Sequence, residues 1–389
     1  MRTRLEGAFD LLAECVERGL VPGAVAAVGT PSGTLHRAAF GWAELNPHRR
    51  PMTEDALFDV ASLTKVVVTT TLLLRYLERG RLFLDQRVAD ILPSFAAGGK
   101  GEVTLRHLLT HTSGLPAWRD LRRSGPEDGA APPPHDAPPP PPEDGDGRPG
   151  DSRGPGARQV LLERVYATPL ERPPGTEVVY SDLGFITLGA VLAAAGGVGL
   201  DVVARQELFE PAGMSNSLYC PDEALRPSCV ATEVVADRGG TVVGVVHDEN
   251  AAALGGVSGH AGLFTTCGDL ERFCRLWLGR GRLEGRRLLS PASVSAATRD
   301  QTGLGARRGL GWVLPGNAFW VPADLSSPLA YSHTGFTGTS LLLDPELERF
   351  AVLLTNRVHP TRGGGSAAAV KEVRARFHNT AWAALTSFV

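Results

Sequence analysis

Apolar residues recur at helical spacing through residues 3–19 (Leu5, Phe9, Leu11, Leu12, Cys15, Val16), which predicts an amphipathic opening helix ending near Gly19. The run Gly23 to Gly29, a Pro31-Ser32-Gly33 turn and the stretch Thr34 to Trp42 predict a β-hairpin. Val66 to Leu77 is apolar nearly all round, so it reads as a helix buried on most sides. Further helices are predicted at 105–109, 158–168, 182–195, 201–210 and 268–279. After residue 309 the pattern changes: Gly309 to Leu314, Tyr331 to Leu343 and Arg349 to Thr355 read as three strands, followed by a helix over about 367–385.

Helix and hairpin first, helices in the middle, strands and a helix last: this order predicts an α+β fold. One antiparallel sheet is built from both chain ends, flanked by the terminal helices, with a helical subdomain inserted. Residues 1–60 and 305–389 form the sheet part of a single domain, and 61–304 the mainly helical part. Within the latter, residues 125–157 hold 11 of the 29 prolines and 7 glycines but no large apolar side chain, so they read as a disordered insertion with nothing to bury.

Composition narrows the function. A net charge of −3 supplies no basic field for nucleic acid. Five cysteines without a C-x-x-C pair signal neither a disulfide framework nor zinc, and read as small buried thiols. The N-terminus lacks the apolar stretch of a signal peptide, and the uncharged run Leu183 to Leu200 is broken by five glycines, so it predicts a buried helix rather than a membrane span. A soluble, cytoplasmic protein is the expectation; the sequence does not speak to its oligomeric state.

The chain has only three lysines, and Lys65 closes the motif Ser62-Leu63-Thr64-Lys65 at the start of a buried helix. Ser and Lys three apart lie one helical turn from each other, so the amine reaches the hydroxyl. Partial burial lowers a lysine pKa, which suits Lys65 to take the serine proton near neutrality. Tyr180-Ser181-Asp182 follows at a predicted helix start, and Ser332-His333-Thr334-Gly335-Phe336 opens a late strand.

These three elements, in this order, resemble the active-site serine β-lactamase and penicillin-binding superfamily. The branch is the β-lactamase-related serine hydrolases, with class C β-lactamases, DD-carboxypeptidases and family VIII-type esterases. Leu108 to Pro116, Gly259 to Thr266 and His333 to Gly338 are similar to the same family. The resemblance implies Ser62 as nucleophile, Lys65 as its proton acceptor and Tyr180 as the relay to the leaving group. It implies an oxyanion hole from the backbone N–H groups of Ser62 and Phe336, and substrate contacts from Asp182, His333, Thr334 and Gly335. It implies no cofactor and no metal, with a small ester, peptide or lactam as substrate.

Two positions depart from the family pattern. Asp182 replaces an asparagine, and is either a helix N-cap or a catalytic contact. His333 replaces a lysine, and a histidine holds a substrate carboxylate only where it is protonated. Small esters or D-amino-acid amides are therefore favoured over β-lactams. The alternative is a chemically decayed member that serves as a ligand-binding or assembly module. A metal site at His247, Asp248, Glu249 and His260 lacks ligand spacing, and a Ser258/His260/Asp248 triad lacks the last glycine of a G-x-S-x-G elbow. His111 and Ser113 read as loop-structuring residues.

Overall fold

The computed structural model describes residues 2–122, 155–363 and 366–385. The main sheet has six antiparallel strands in the order Tyr331–Thr334, Ser340–Asp344, Arg349–Thr355, Gly23–Thr30, Gly33–Glu44, Arg50–Pro51. Both chain ends thus meet at its centre, where Ala24 faces Thr355 and Val28 faces Ala351. A strand's side chains alternate between faces, and here the alternation divides two cores. Ala24, Ala26, Val28, Leu342, Ala351 and Leu353 pack with the terminal helices Arg2–Glu17 and Ser366–Leu385. Val25, Ala27, Leu341, Leu343, Val352 and Leu354 face the helical part instead. Buried on both faces, the central strand has to be apolar, and it is from Gly23 to Gly29, before the half-buried Thr30.

In the helical part, the Ser62 helix begins with a π turn, Lys65–Thr70, and continues as an α-helix to Glu78. The uncharged run forms the helix Asp182–Gly196, stopped by Gly197 in the left-handed conformation, φ 71°. Among the described residues no single helix is long and apolar enough to cross a membrane.

Four expectations need correction. Gly309 to Leu314 is not a strand: only isolated bridges form, Arg308 to Val313 and Val313 to Ser332. Gly311 at φ 76° turns the chain against Thr70, where no side chain fits. The run Tyr331 to Leu343 is two strands rather than one, because Gly335 to Thr339 turns the chain back. Cys220 is exposed at a positive-φ position after the short strand Leu218–Tyr219, while the other four thiols are buried. The proposed insertion 125–157 lies outside the described residues up to position 154, but its last three residues belong to the helix Pro155–Ala167.

Candidate active site

The turn into the Ser62 helix is set from behind. Asp59 is buried, and its carboxylate accepts the Ala61 N–H at 2.9 Å and the His247 N–H at 2.7 Å. Ala61 takes φ 47° immediately before the serine. Burial raises the Asp59 pKa, against the lowering by those two backbone donors. This leaves Ser62 partly exposed while Lys65 is fully buried.

The helical spacing does what the sequence predicts: the Lys65 Nζ donates to Ser62 Oγ at 2.9 Å. It also donates to the His260 carbonyl at 3.2 Å, lies 2.7 Å from Asp182 Oδ1, and sits 4.8 Å from the centre of the Tyr180 ring. The expected lowering of its pKa is not found. Burial does pull it down, but the Asp182 charge and then Tyr180 outweigh that, and the net shift is upward. Lys65 is therefore an ammonium at neutral pH.

Asp182 is not the cap of its helix. Ser181 is: its Oγ accepts the Gly184 N–H at 3.3 Å and donates to the Pro116 carbonyl at 2.7 Å. Capping by Ser181 frees Asp182, one residue on, to meet Lys65. His111 orders the same turn, as expected: its Nδ1 accepts the Ser181 N–H at 3.0 Å and its ring stacks on Tyr180 at 4.5 Å.

The third element is stitched to the first. The Thr337 hydroxyl donates to the Asp59 carbonyl at 2.8 Å, and that of Thr339 to the Val60 carbonyl at 3.0 Å. From the other side Arg374 donates to the Thr339 carbonyl at 2.7 Å and the Gly335 carbonyl at 3.3 Å, and Arg357 to the Phe336 carbonyl at 2.6 Å. A trans peptide directs its C=O and N–H oppositely, so the Phe336 N–H turns away from Arg374. Gly335 lies against the Val60 backbone carbonyl and the Thr339 hydroxyl, leaving no room for a Cβ. Gly335→Ala is predicted to force the strand off the Ser62 turn, at a cost of about 1–3 kcal/mol. A lowered Tm together with a fall in kcat of at least ~10-fold checks this; an unchanged kcat contradicts it.

His333 is buried and neutral. Its Nδ1 donates to the Thr334 carbonyl at 2.9 Å; burial, then the Lys65 and Arg308 charges, hold its pKa well below the usual imidazole value. Holding a carboxylate would require a protonated His333, and the charged neighbours acting on it are cations, which oppose that proton.

A chain of contacts that local sequence form did not predict lies behind Lys65. Ser258 Oγ meets His260 Nδ1 at 2.8 Å, and His260 Nε2 meets Asp248 Oδ1 at 2.8 Å. It has the connectivity of a triad, but Ser258 is buried, so it presents no nucleophile. Ligand atoms of Asp182, Asp248 and His260 lie within 4.8 Å of one another. The Lys65 ammonium pairs with Asp182 in this cluster, and its charge, after burial, His260 and the Ala251 N–H, is among the causes acting on Asp248.

Comparison with known proteins identifies the family and the fold. The family model described as Beta-lactamase matches residues 9–375. A chain of Escherichia coli (strain K12), provisionally named a D-alanyl-D-alanine carboxypeptidase, is 31% identical over 329 residues, 79% of this chain and 70% of its own. An N-acetylmuramyl-L-alanine amidase of Bacillus subtilis (strain 168) is 29% identical over 377 residues, 89% of this chain and 80% of its own. A penicillin-binding protein homologue from Caulobacter crescentus superposes with TM-score 0.73 at 19% identity, over 98% of this chain and 97% of that one. The hydrolase EstCE1, described as having promiscuous acyltransferase activity, gives 0.71 at 20%, over 96% and 99%. Matched by the family model along nearly its whole length, the chain belongs to the β-lactamase family.

Proposed function

We propose that the protein is a serine hydrolase that cleaves small esters or D-amino-acid amides and peptides through an acyl-Ser62 intermediate. The observation that carries this reading is the partly exposed Ser62 hydroxyl, 2.9 Å from the buried Lys65 nitrogen and beside Tyr180. In this reading Ser62 attacks the carbonyl, and its proton passes to the Lys65 amine once that amine is neutral. Tyr180 relays a proton to the leaving atom. The N–H groups of Ser62 and Phe336 receive the oxyanion; Arg374 and Arg357, gripping the adjacent carbonyls, keep the second donor in place. Asp182, Thr334 and Gly335 line the substrate's path, and water completes the cycle.

The relatives' names support an amide or ester as the bond cleaved. A neutral His333 in place of a lysine disfavours β-lactams. Hydrolysis of p-nitrophenyl acetate, followed with the intact mass of the quenched protein, tests the reading. A second reading is favoured by one observation, the Asp182 carboxylate that keeps Lys65 charged: the protein is a decayed member that binds ligands without turning them over. Absence of turnover up to pH 10, with ligand binding retained, identifies that case.

A further inference from the structure

Ser258, His260 and Asp248 form a chain of contacts that the proposed chemistry does not use. His260 is buried, and both its ring nitrogens are engaged, Nδ1 with Ser258 Oγ and Nε2 with Asp248 Oδ1, each at 2.8 Å. An ionised carboxylate only accepts, so Nε2 donates to Asp248. Asp248 is held in its turn: as the cap of the helix Glu249–Ala253 it accepts the Ala251 N–H at 2.7 Å. Gripped on both edges, the imidazole fixes the main chain of residue 260.

That main chain needs fixing. The turn has glycines on both sides, Gly259 and Gly262, the second at φ 108°, and so has little stiffness of its own. Its flanks dock on the Ser62 helix, where the Thr69 hydroxyl donates to the Gly259 carbonyl at 2.6 Å and the Leu263 N–H donates to the Thr64 hydroxyl at 3.2 Å. Between them the His260 carbonyl accepts from Lys65 Nζ at 3.2 Å. An ammonium has three N–H groups, and those of Lys65 are spent on Ser62 Oγ, Asp182 Oδ1 and this carbonyl. A neutral amine keeps two N–H groups and a lone pair. With Asp182 and the His260 carbonyl retaining the two hydrogens, the lone pair is left facing Ser62 Oγ, as proton abstraction requires. Without a fixed carbonyl, one contact alone orients the amine.

We propose that His260 is a positioning residue for the Lys65 base: its side chain, clamped between Ser258 and Asp248, holds its own carbonyl where it aims the Lys65 lone pair at Ser62. The assignment rests on reading Lys65 as the group that takes the Ser62 proton. It gives the triad-like chain a purpose that needs no exposed serine at position 258.

Stopped-flow release of p-nitrophenol from p-nitrophenyl acetate by the full chain tests it, because one saturation curve gives both the acylation rate and the ester concentration at half-saturation. His260→Ala is expected to acylate roughly 10- to 100-fold more slowly than the native protein, with half-saturation unchanged. Ser258→Ala, which removes a single hydroxyl, is expected to be about 2- to 10-fold slower. Since Ser258 acts only through the imidazole, adding Ser258→Ala to His260→Ala should cost nothing more. A merely structural role predicts the reverse on both counts: a raised half-saturation, and losses that add in the double variant. Either of those results, or a native acylation rate in His260→Ala, overturns the proposal while the hydrolase reading stands; if His260→Ala does not fold, a native rate in Ser258→Ala does the same. A native protein that releases no p-nitrophenol overturns the hydrolase reading, and the positioning role with it.

Discussion

Ser62→Ala is expected to reduce p-nitrophenyl acetate turnover to the uncatalysed background, a loss on the order of 10³-fold or more. The size follows from the geometry. The Lys65 amine is 2.9 Å from the Ser62 hydroxyl, and the Asp59 and Thr337 contacts serve to hold that hydroxyl's turn against the His333-Thr334-Gly335 strand. Without an oxygen at position 62 no acyl-enzyme forms, and the remaining groups have nothing to activate. The Ser258, His260 and Asp248 contacts predict no substitute, because Ser258 is buried. Residual activity above one tenth of the native rate contradicts the assignment of Ser62.

Asp182→Asn is expected to move the acid limb of the pH–rate profile down by at least about one unit, equivalent to about 1.4 kcal/mol. In the native protein Asp182 holds Lys65 charged, so kcat/KM should climb with pH as the ammonium is lost and reach its maximum in the alkaline range. An asparagine removes the largest upward influence and leaves burial, which lowers the lysine pKa. The stability effect has a definite sign. Native Lys65 titrates above its unfolded value of about 10.4, so the ion pair's contribution is complete below that pH and is lost as pH rises through the folded pKa. The variant is therefore destabilised most at neutral and acid pH, by up to about 3–5 kcal/mol if the lysine stays charged. The difference fades in the alkaline range. Identical pH–rate limbs in the two proteins contradict the role given to Asp182.

Sequence and structure agree where the argument rests on local spacing. One helical turn separates Ser62 from Lys65, and the period-2 pattern at both chain ends gives strands that meet at the sheet centre, as Ala24 and Thr355 show. What escaped depends on neighbours far apart in the chain. The Lys65 pKa is governed by Asp182, 117 residues on, and not by burial alone. His333 is kept neutral by burial and then by cations contributed from other elements. The contacts of His260 with Ser258 and Asp248 were missed for the opposite reason: a missing motif glycine argued against the triad's form, while two residues at i and i+2 around a turn still brought the side chains together.

The most direct test is peptide-level mass spectrometry of the enzyme quenched during p-nitrophenyl acetate turnover. A gain of one acetyl group on the peptide containing Ser62, absent from Ser62→Ala and growing with pH alongside kcat/KM, is the predicted result. Turnover with no adduct on that peptide, or with the acetyl group on Ser258, would contradict the account.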